Sequence, residues 1–284
     1  MKRFGLALVG LLVLMTAPGA SVYAAGRSVV ALRAAGAAEI QDVYVRPPAT
    51  ADPSGEPLQV VIALHGMGGN GPDFASGLAQ QADRYNWLLV APTIAYGDWT
   101  DPQQIAREDP GLSAWLSDEI THLAERTGYD VQPRVLLFGH SRGAQLSLRF
   151  AEMHPSQVEG VAAASAGTYT LPVMRDRGTG QMLAFPFGVG DLAKDDGGQG
   201  FDARSFKNVP IWIGVGADDV NPADVPDQWD AYIGDDRRER AERFSAVLSD
   251  MGTEVKLEEF AGTSHGLTDE MRAAGCAALA EANG

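Results

Sequence analysis

The 284-residue chain has one cysteine, Cys276. A single thiol excludes an intramolecular disulfide and a thiolate metal cage. Its five histidines, His65, His122, His140, His154 and His265, are scattered. None forms a His-x-x-x-His pair, so no metal constellation is legible, and no cofactor is expected. Basic residues are scarce, with 22 Lys and Arg against 37 Asp and Glu, for a formal charge of −15. Such a balance argues against nucleic acid or an anionic membrane surface as a partner. It also disfavours polyanionic substrates and tolerates neutral ones. A spanning apolar run is missing: Phe4 to Met15 is too short to cross a bilayer. The glycine-rich stretch from His65 to Gly71 lacks a following Gly-Lys-Ser/Thr, which argues against a phosphate-binding P-loop. No internal repeat is found.

The short apolar run has another reading. It follows Met1-Lys2-Arg3 and precedes Val22-Tyr23-Ala24, with small residues at the −3 and −1 positions. This pattern predicts a signal peptide over residues 1–24, removed after Ala24. No cysteine stands near the cleavage point, so a lipid anchor is not expected. Residues 25–284 then form one domain, secreted or periplasmic, with no stable membrane insertion once the leader is gone. The expected state is a monomer. Hydrophobic residues at 45% and charged residues at 21% fit a globular domain able to fold without a disulfide.

Val135 to Ala144 carries the most chemistry. Val135 to Phe138 reads as a buried strand, and a helical pattern follows from Arg142 to Met153. Between them, Gly139-His140-Ser141-Arg142-Gly143 matches Gly-x-Ser-x-Gly in the strand-turn-helix setting of a nucleophile elbow. Ser141 is the candidate nucleophile, held at a helix N-terminus that favours developing negative charge.

A serine hydroxyl needs a base. In an elbow enzyme the partners follow in the order serine, acid, histidine. Only His154 and His265 come after Ser141. His154 ends the elbow helix before Pro155, where a cation suits the helix C-terminus. His265 lies just past an apparent last strand, Val255 to Phe260, and is the expected base. The acid should follow the preceding strand, Ile211 to Val215. Asp218 and Asp219 both stand there; Asp219 is preferred and Asp218 is the rival. An oxyanion hole needs two N–H donors. Arg142 follows the nucleophile, and Met67 follows His65-Gly66 at the end of the strand Val60 to Leu64. The Arg142 side chain is expected to face solvent.

Together these separated motifs resemble the α/β-hydrolase superfamily. The chain is most similar to secreted esterases of the polyhydroxybutyrate-depolymerase-like group, and more distantly to dienelactone hydrolases. The resemblance runs from about Val43 to the C-terminus and departs in a long glycine-rich stretch from Thr168 to Asn208. It implies an α/β fold, with a central, mostly parallel sheet flanked by helices. It also implies ester hydrolysis through an acyl-enzyme, on a small-molecule or polymeric ester.

Other segments fit that architecture. Asp42 to Val45 reads as an early strand leading through a hairpin toward Val60. Trp87 to Ala91 and Val158 to Ala163 read as further strands. Phe74 to Tyr85, Gly111 to Arg126, Arg237 to Met251 and Thr268 to Ala280 read as helices. Strands alternating with helices favour a parallel sheet. Tyr96, Trp99, Tyr169, Phe185 and Phe187 fall in loops that should open near Ser141. Trp99, Tyr169 and Phe185 are the expected substrate contacts, although Phe185 and Phe187 could instead anchor the long loop to the core. Two other functions share the motifs: a serine peptidase or acyltransferase, and a catalytically silent binding protein.

Overall fold

Among the described residues, the strongly apolar runs become strands of one sheet, because helices cover both of its faces and leave no wet side to alternate toward. The computed structural model describes residues 26–28, 32–33, 39–52, 55–192 and 200–283. The expected leader and its cleavage point lie outside the described residues. The strands are β1 (Gly26–Ser28), β2 (Leu32–Arg33), β3 (Glu39–Arg46), β4 (Gln59–Leu64), β5 (Trp87–Ala95), β6 (Val135–His140), β7 (Val158–Ala164), β8 (Ile211–Gly216) and β9 (Val255–Phe260). The helices are α1 (Gly71–Tyr85), α2 (Pro102–Thr121), α3 (Leu123–Thr127), α4 (Arg142–Met153), α5 (Ala203–Phe206), α6 (Asp230–Ile233), α7 (Arg237–Met251) and α8 (Asp269–Ala282).

The strand order is β1-β3-β5-β4-β6-β7-β8-β9, with β2 also on β3. From β5 through β9 every neighbour is parallel, whereas β1, β2 and β5 each pair with β3 antiparallel. The expected hairpin into Val60 does not form. β3 pairs with β5 instead, Val45 opposite Val90, so β5 lies between β3 and the strand that follows it in sequence.

Alternate residues of the central strands feed two cores. Val61, Ala63, Leu136, Phe138 and Trp212 pack toward α1 and α8, meeting Leu78, Met271 and Leu279. Val60, Ile62, Leu64 and Leu137 point the other way, toward Leu112 and Leu116 of α2, Leu146 and Phe150 of α4, and Phe244 of α7. Each fully buried large side chain contributes about 1.5–3 kcal/mol. Cys276 is part of the first core, and burial pushes its thiol up to about 12, so it is an inert filler.

Caps set the helix ends. Asn70 accepts from the Asp73 N–H to start α1, and Asp236 accepts from the Glu239 N–H to start α7. α2 begins well before the expected Gly111. Asp101 caps it, Pro102 occupies the first turn, and the helix continues through Pro110. Tertiary packing of Ile105, Leu112 and Leu116 outweighs the proline penalty here.

Candidate active site

Ser141 sits between β6 and α4 with φ 53° and ψ −115°, outside the regions an L-residue ordinarily occupies. The surroundings enforce this strain. A Cβ on Gly139 would collide with the Gly143 carbonyl, and one on Gly143 would collide with the Leu64 and His65 carbonyls. The two glycines let strand, helix and neighbouring loop approach to backbone contact. The serine is left at the apex, and its N–H donates to Ala164 O at 2.8 Å.

The turn after β8 and the loop after β9 are stitched together. Ala217 N–H donates to Phe260 O and Asp218 N–H to Thr263 O, both at 2.9 Å. The Asp218 side chain therefore faces solvent while Asp219 is 3% exposed and turned inward. Ser141 Oγ lies 3.0 Å from His265 Nε2, and His265 Nδ1 lies 3.1 Å from Asp219 Oδ2. A carboxylate only accepts, so Nδ1 carries the proton and Nε2 is free to accept from the serine. The structure thus brings Ser141, His265 and Asp219 into one chain of hydrogen bonds, and leaves Asp218 out of it.

Arg237, at the start of α7, donates to Asp219 Oδ1 at 3.0 Å and to Asp224 O at 2.7 Å. Burial raises the Asp219 pKa, but the His265 hydrogen bond and the Arg237 charge outweigh it and hold the carboxyl below its ordinary value. The acid therefore stays ionised with each oxygen assigned to a different partner.

His65 organises the facing loop. Its Nε2 accepts from Ile94 N–H at 3.0 Å, so Nδ1 must carry the proton that reaches Gly66 O at 2.7 Å. Burial lowers its pKa and keeps it in that neutral form. Pulling the Gly66 carbonyl toward the imidazole turns the other side of the same planar peptide, Met67 N–H, away from it. A Cβ on Gly66 would stand 3.3 Å from Ser141 Cβ, so this loop lies directly against the serine. His140 completes the wall. Its ring stacks on His265 with centroids 5.4 Å apart. Burial, reinforced by the nearby cationic groups, depresses its pKa to about 4 and leaves it uncharged. An open cleft of about 600 Å³ runs over Ser141, His265, Met67, Phe74 and Arg272.

No family model and no curated protein matches the sequence. Solved structures do match in three dimensions. A poly(aspartic acid) hydrolase-1 from Sphingomonas sp. KT-1 superposes with a TM-score of 0.64 at 20% identity, over 88% of this chain and 96% of that one. A phospholipase/carboxylesterase from Dyadobacter fermentans DSM 18053 gives 0.55 at 19%, over 84% and 95%. The esterase PE8 gives 0.53 at 19%, over 84% and 96%. The chain has the α/β-hydrolase fold.

Several expectations set on that fold need correction. The Arg142 side chain does not face solvent. It is 1% exposed, lies 4.9 Å from the centre of the Tyr96 ring, and donates to Glu108 Oε1 at 3.0 Å and to both oxygens of Asp109. Burial opposes its charge, but Asp109 and Glu108 overrule that and raise its pKa. Tyr169 and Phe185 do not line the cleft. Tyr169 stacks on Phe244 at 4.6 Å and Phe185 is 6% exposed in the core, because the long stretch after β7 folds inward. Trp99 is half-buried against Gly167 and Arg237 and does not line the cleft over Ser141. Sequence reasoning missed Arg237. It has no local motif, and the α/β-hydrolase topology brings its partner Asp219 to it.

Proposed function

We propose that the chain is a carboxylic-ester hydrolase that works through an acyl-enzyme on Ser141. The observation that carries this reading is the Ser141–His265–Asp219 chain, with spacings of 3.0 Å and 3.1 Å, on a strained turn beside an open cleft. His265 Nε2 takes the serine proton as Oγ attacks the carbonyl carbon. The carbonyl π electrons move onto oxygen, and the backbone N–H groups of Met67 and Arg142 receive that charge. Asp219 stabilises the imidazolium through Nδ1–H. The imidazolium then protonates the departing alcohol as the C–O bond breaks. Water repeats the sequence on the acyl-enzyme and restores the serine.

No bound group is needed in this scheme. Short acyl esters, aromatic esters and polyesters all suit an open cleft of this size. The leader pattern supports action outside the cytoplasm, in the periplasm or medium. The esterases and the carboxylesterase that share the fold support ester chemistry in general terms. The poly(aspartic acid) hydrolase among those structures keeps amide hydrolysis as a second reading. A panel of p-nitrophenyl acyl esters, a soluble polyester and a peptide anilide separates them. Turnover of the esters, at least about a hundredfold above the anilide in kcat/KM, is expected, since an alkoxide leaves more readily than an amide nitrogen. Preferential cleavage of the anilide would favour the second reading.

A further inference from the structure

The two oxyanion donors of the scheme above come from different parts of the chain. Met67 N–H belongs to the loop after β4, and Arg142 N–H opens α4. Such a hole works only if its dipoles are already aimed when the charge forms, so the two donors must keep a fixed spacing. The segment from Ile94 to Gly97, at the end of β5, touches both carriers. On one side, Ile94 N–H donates to His65 Nε2 at 3.0 Å, and the Tyr96 ring meets the His65 ring edge to face, with centroids 5.4 Å apart. On the other side, the Arg142 guanidinium lies over the same Tyr96 ring, 4.9 Å from its centre. The backbone repeats the link. Gly97 N–H donates to Glu108 Oε2 at 2.9 Å, while Glu108 Oε1 accepts from Arg142 at 3.0 Å. A Cβ on Gly97 would stand 2.6 Å from that Glu108 Oε2, so the glycine allows the close approach.

Tyr96 is thus wedged between the histidine that turns the Gly66–Met67 peptide and the side chain of the other donor residue. Both neighbours are fixed. His65 is hydrogen-bonded at each ring nitrogen, and Arg142 is held by Glu108 and Asp109. The phenol oxygen contributes no hydrogen bond: it is buried with no partner among the described residues. The contact is therefore made by the ring, whose face attracts a guanidinium and whose π-system suits an edge-to-face neighbour. Tyr96 is not among the residues that line the cleft over Ser141.

We propose that Tyr96 is a positioning residue that sets the spacing of the two oxyanion donors by bracing His65 against Arg142. The proposal rests on the ester-hydrolase reading above and adds no step to it. The ring acts through its neighbours, so its removal slows the steps in which carbonyl oxygen gains charge and leaves ground-state binding alone.

The test is turnover of p-nitrophenyl acetate, with active sites counted by fluorophosphonate titration. Tyr96→Leu should lower kcat per site by about 10²-fold, the effect of a group displaced by about 1 Å, with KM within about threefold of the wild type. The inhibition constant of an alkylboronic acid, whose tetrahedral adduct places an oxygen in the same hole, should rise by a similar factor. Tyr96→Phe keeps the ring and loses the unpartnered hydroxyl, so kcat should stay within about threefold. If Tyr96→Leu yields no titratable site, Tyr96→Met fills more of the space and carries the same expectation. A role in folding alone would reduce the number of titratable sites and leave kcat per site unchanged. Because the brace acts through His65, Tyr96→Leu should cost about tenfold or less in a His65→Phe background. A truncated variant within about threefold of the wild type per site, a Tyr96→Phe as slow as the truncation, a loss confined to KM, or losses that multiply fully in the double variant would each overturn the proposal. If the wild type neither turns over the ester nor takes up the label on Ser141, the ester-hydrolase reading itself has failed, which is a different result.

Discussion

Replacing Asp109 by alanine should cost this protein a large part of its stability, although Asp109 is remote from the chemistry in sequence. The carboxylate is fully buried on α2. It accepts from Arg142 Nη1 at 3.3 Å, from Arg142 Nη2 over a short bond, and from Arg149 Nη1 at 2.9 Å. Two guanidinium groups thus share two acids, Asp109 and Glu108, in a region without solvent. Without Asp109, Glu108 alone faces two buried cations, and Arg149 falls back on Thr168 and Thr170. Breaking a buried pair from one side costs about 3–5 kcal/mol. Against a total of about 5–15 kcal/mol, that is about a fifth of the margin or more. Urea unfolding followed by tryptophan fluorescence should show the midpoint falling by about 1–1.7 M, taking m at about 3 kcal/mol/M for a domain of this size. Asp109→Leu combined with Arg149→Met removes one acid and one cation together and should recover much of the loss. A loss below about 1 kcal/mol in Asp109→Ala, or a double variant as poor as the sum of its parts, would refute the reasoning.

Three further outcomes follow from the site. Asp219→Asn should lower kcat by about 10⁴-fold through loss of the correct His265 tautomer, while Asp218→Asn, on an exposed side chain, should stay within about threefold; steady-state kinetics on a p-nitrophenyl ester decides it, and the reverse ranking would shift the acid by one residue. His65→Phe keeps a ring but frees the Gly66 carbonyl, so kcat should fall by about 10²-fold with KM little changed; an equal rise in KM would mean that the loop binds substrate rather than the transition state. Glu152 is buried with both carboxyl oxygens unpaired, and burial pushes its pKa well above the ordinary value despite Arg149. The folded protein therefore keeps a proton that the unfolded chain releases above about pH 4.3, and stability drains away as pH rises from there toward the folded value. Glu152→Gln should remove that slope, gaining on the wild type between about pH 5 and about pH 8 in parallel urea titrations, and a constant difference across that range would count against it.

The parts of this protein that were legible in its sequence are those whose signal is local. The strand, turn and helix around Ser141 lie within a few residues of one another, and β9 and α4 fall on the residues the apolar pattern marks. His265 emerged by elimination among five histidines. Asp219 and Asp218 are neighbours of one type, and only the pairing of their turn with the Thr263 loop decides which faces inward. Arg142 looked exposed because Glu108 and Asp109, its partners, come from another helix far back in the chain. Tyr169 and Phe185 stand in a stretch without regular periodicity. Loop position suggested the cleft, whereas burial of apolar area drew them into the core. The same limit hid Arg237 and Arg240. α7 reads as a charged surface helix, yet it turns Arg237 onto Asp219 and ties Arg240 to the Gly167, Pro226 and Gly234 carbonyls.

The central claim is a nucleophilic serine at position 141, and a fluorophosphonate tests it most directly. One equivalent should add covalently to the intact protein, with the label on the peptide containing Ser141 by mass spectrometry and ester turnover lost in proportion. Ser141→Ala should take up no label, keep its circular dichroism spectrum and lose about 10⁴-fold or more in kcat. Labelling at another residue, or turnover by Ser141→Ala within about tenfold of the wild type, would contradict the account.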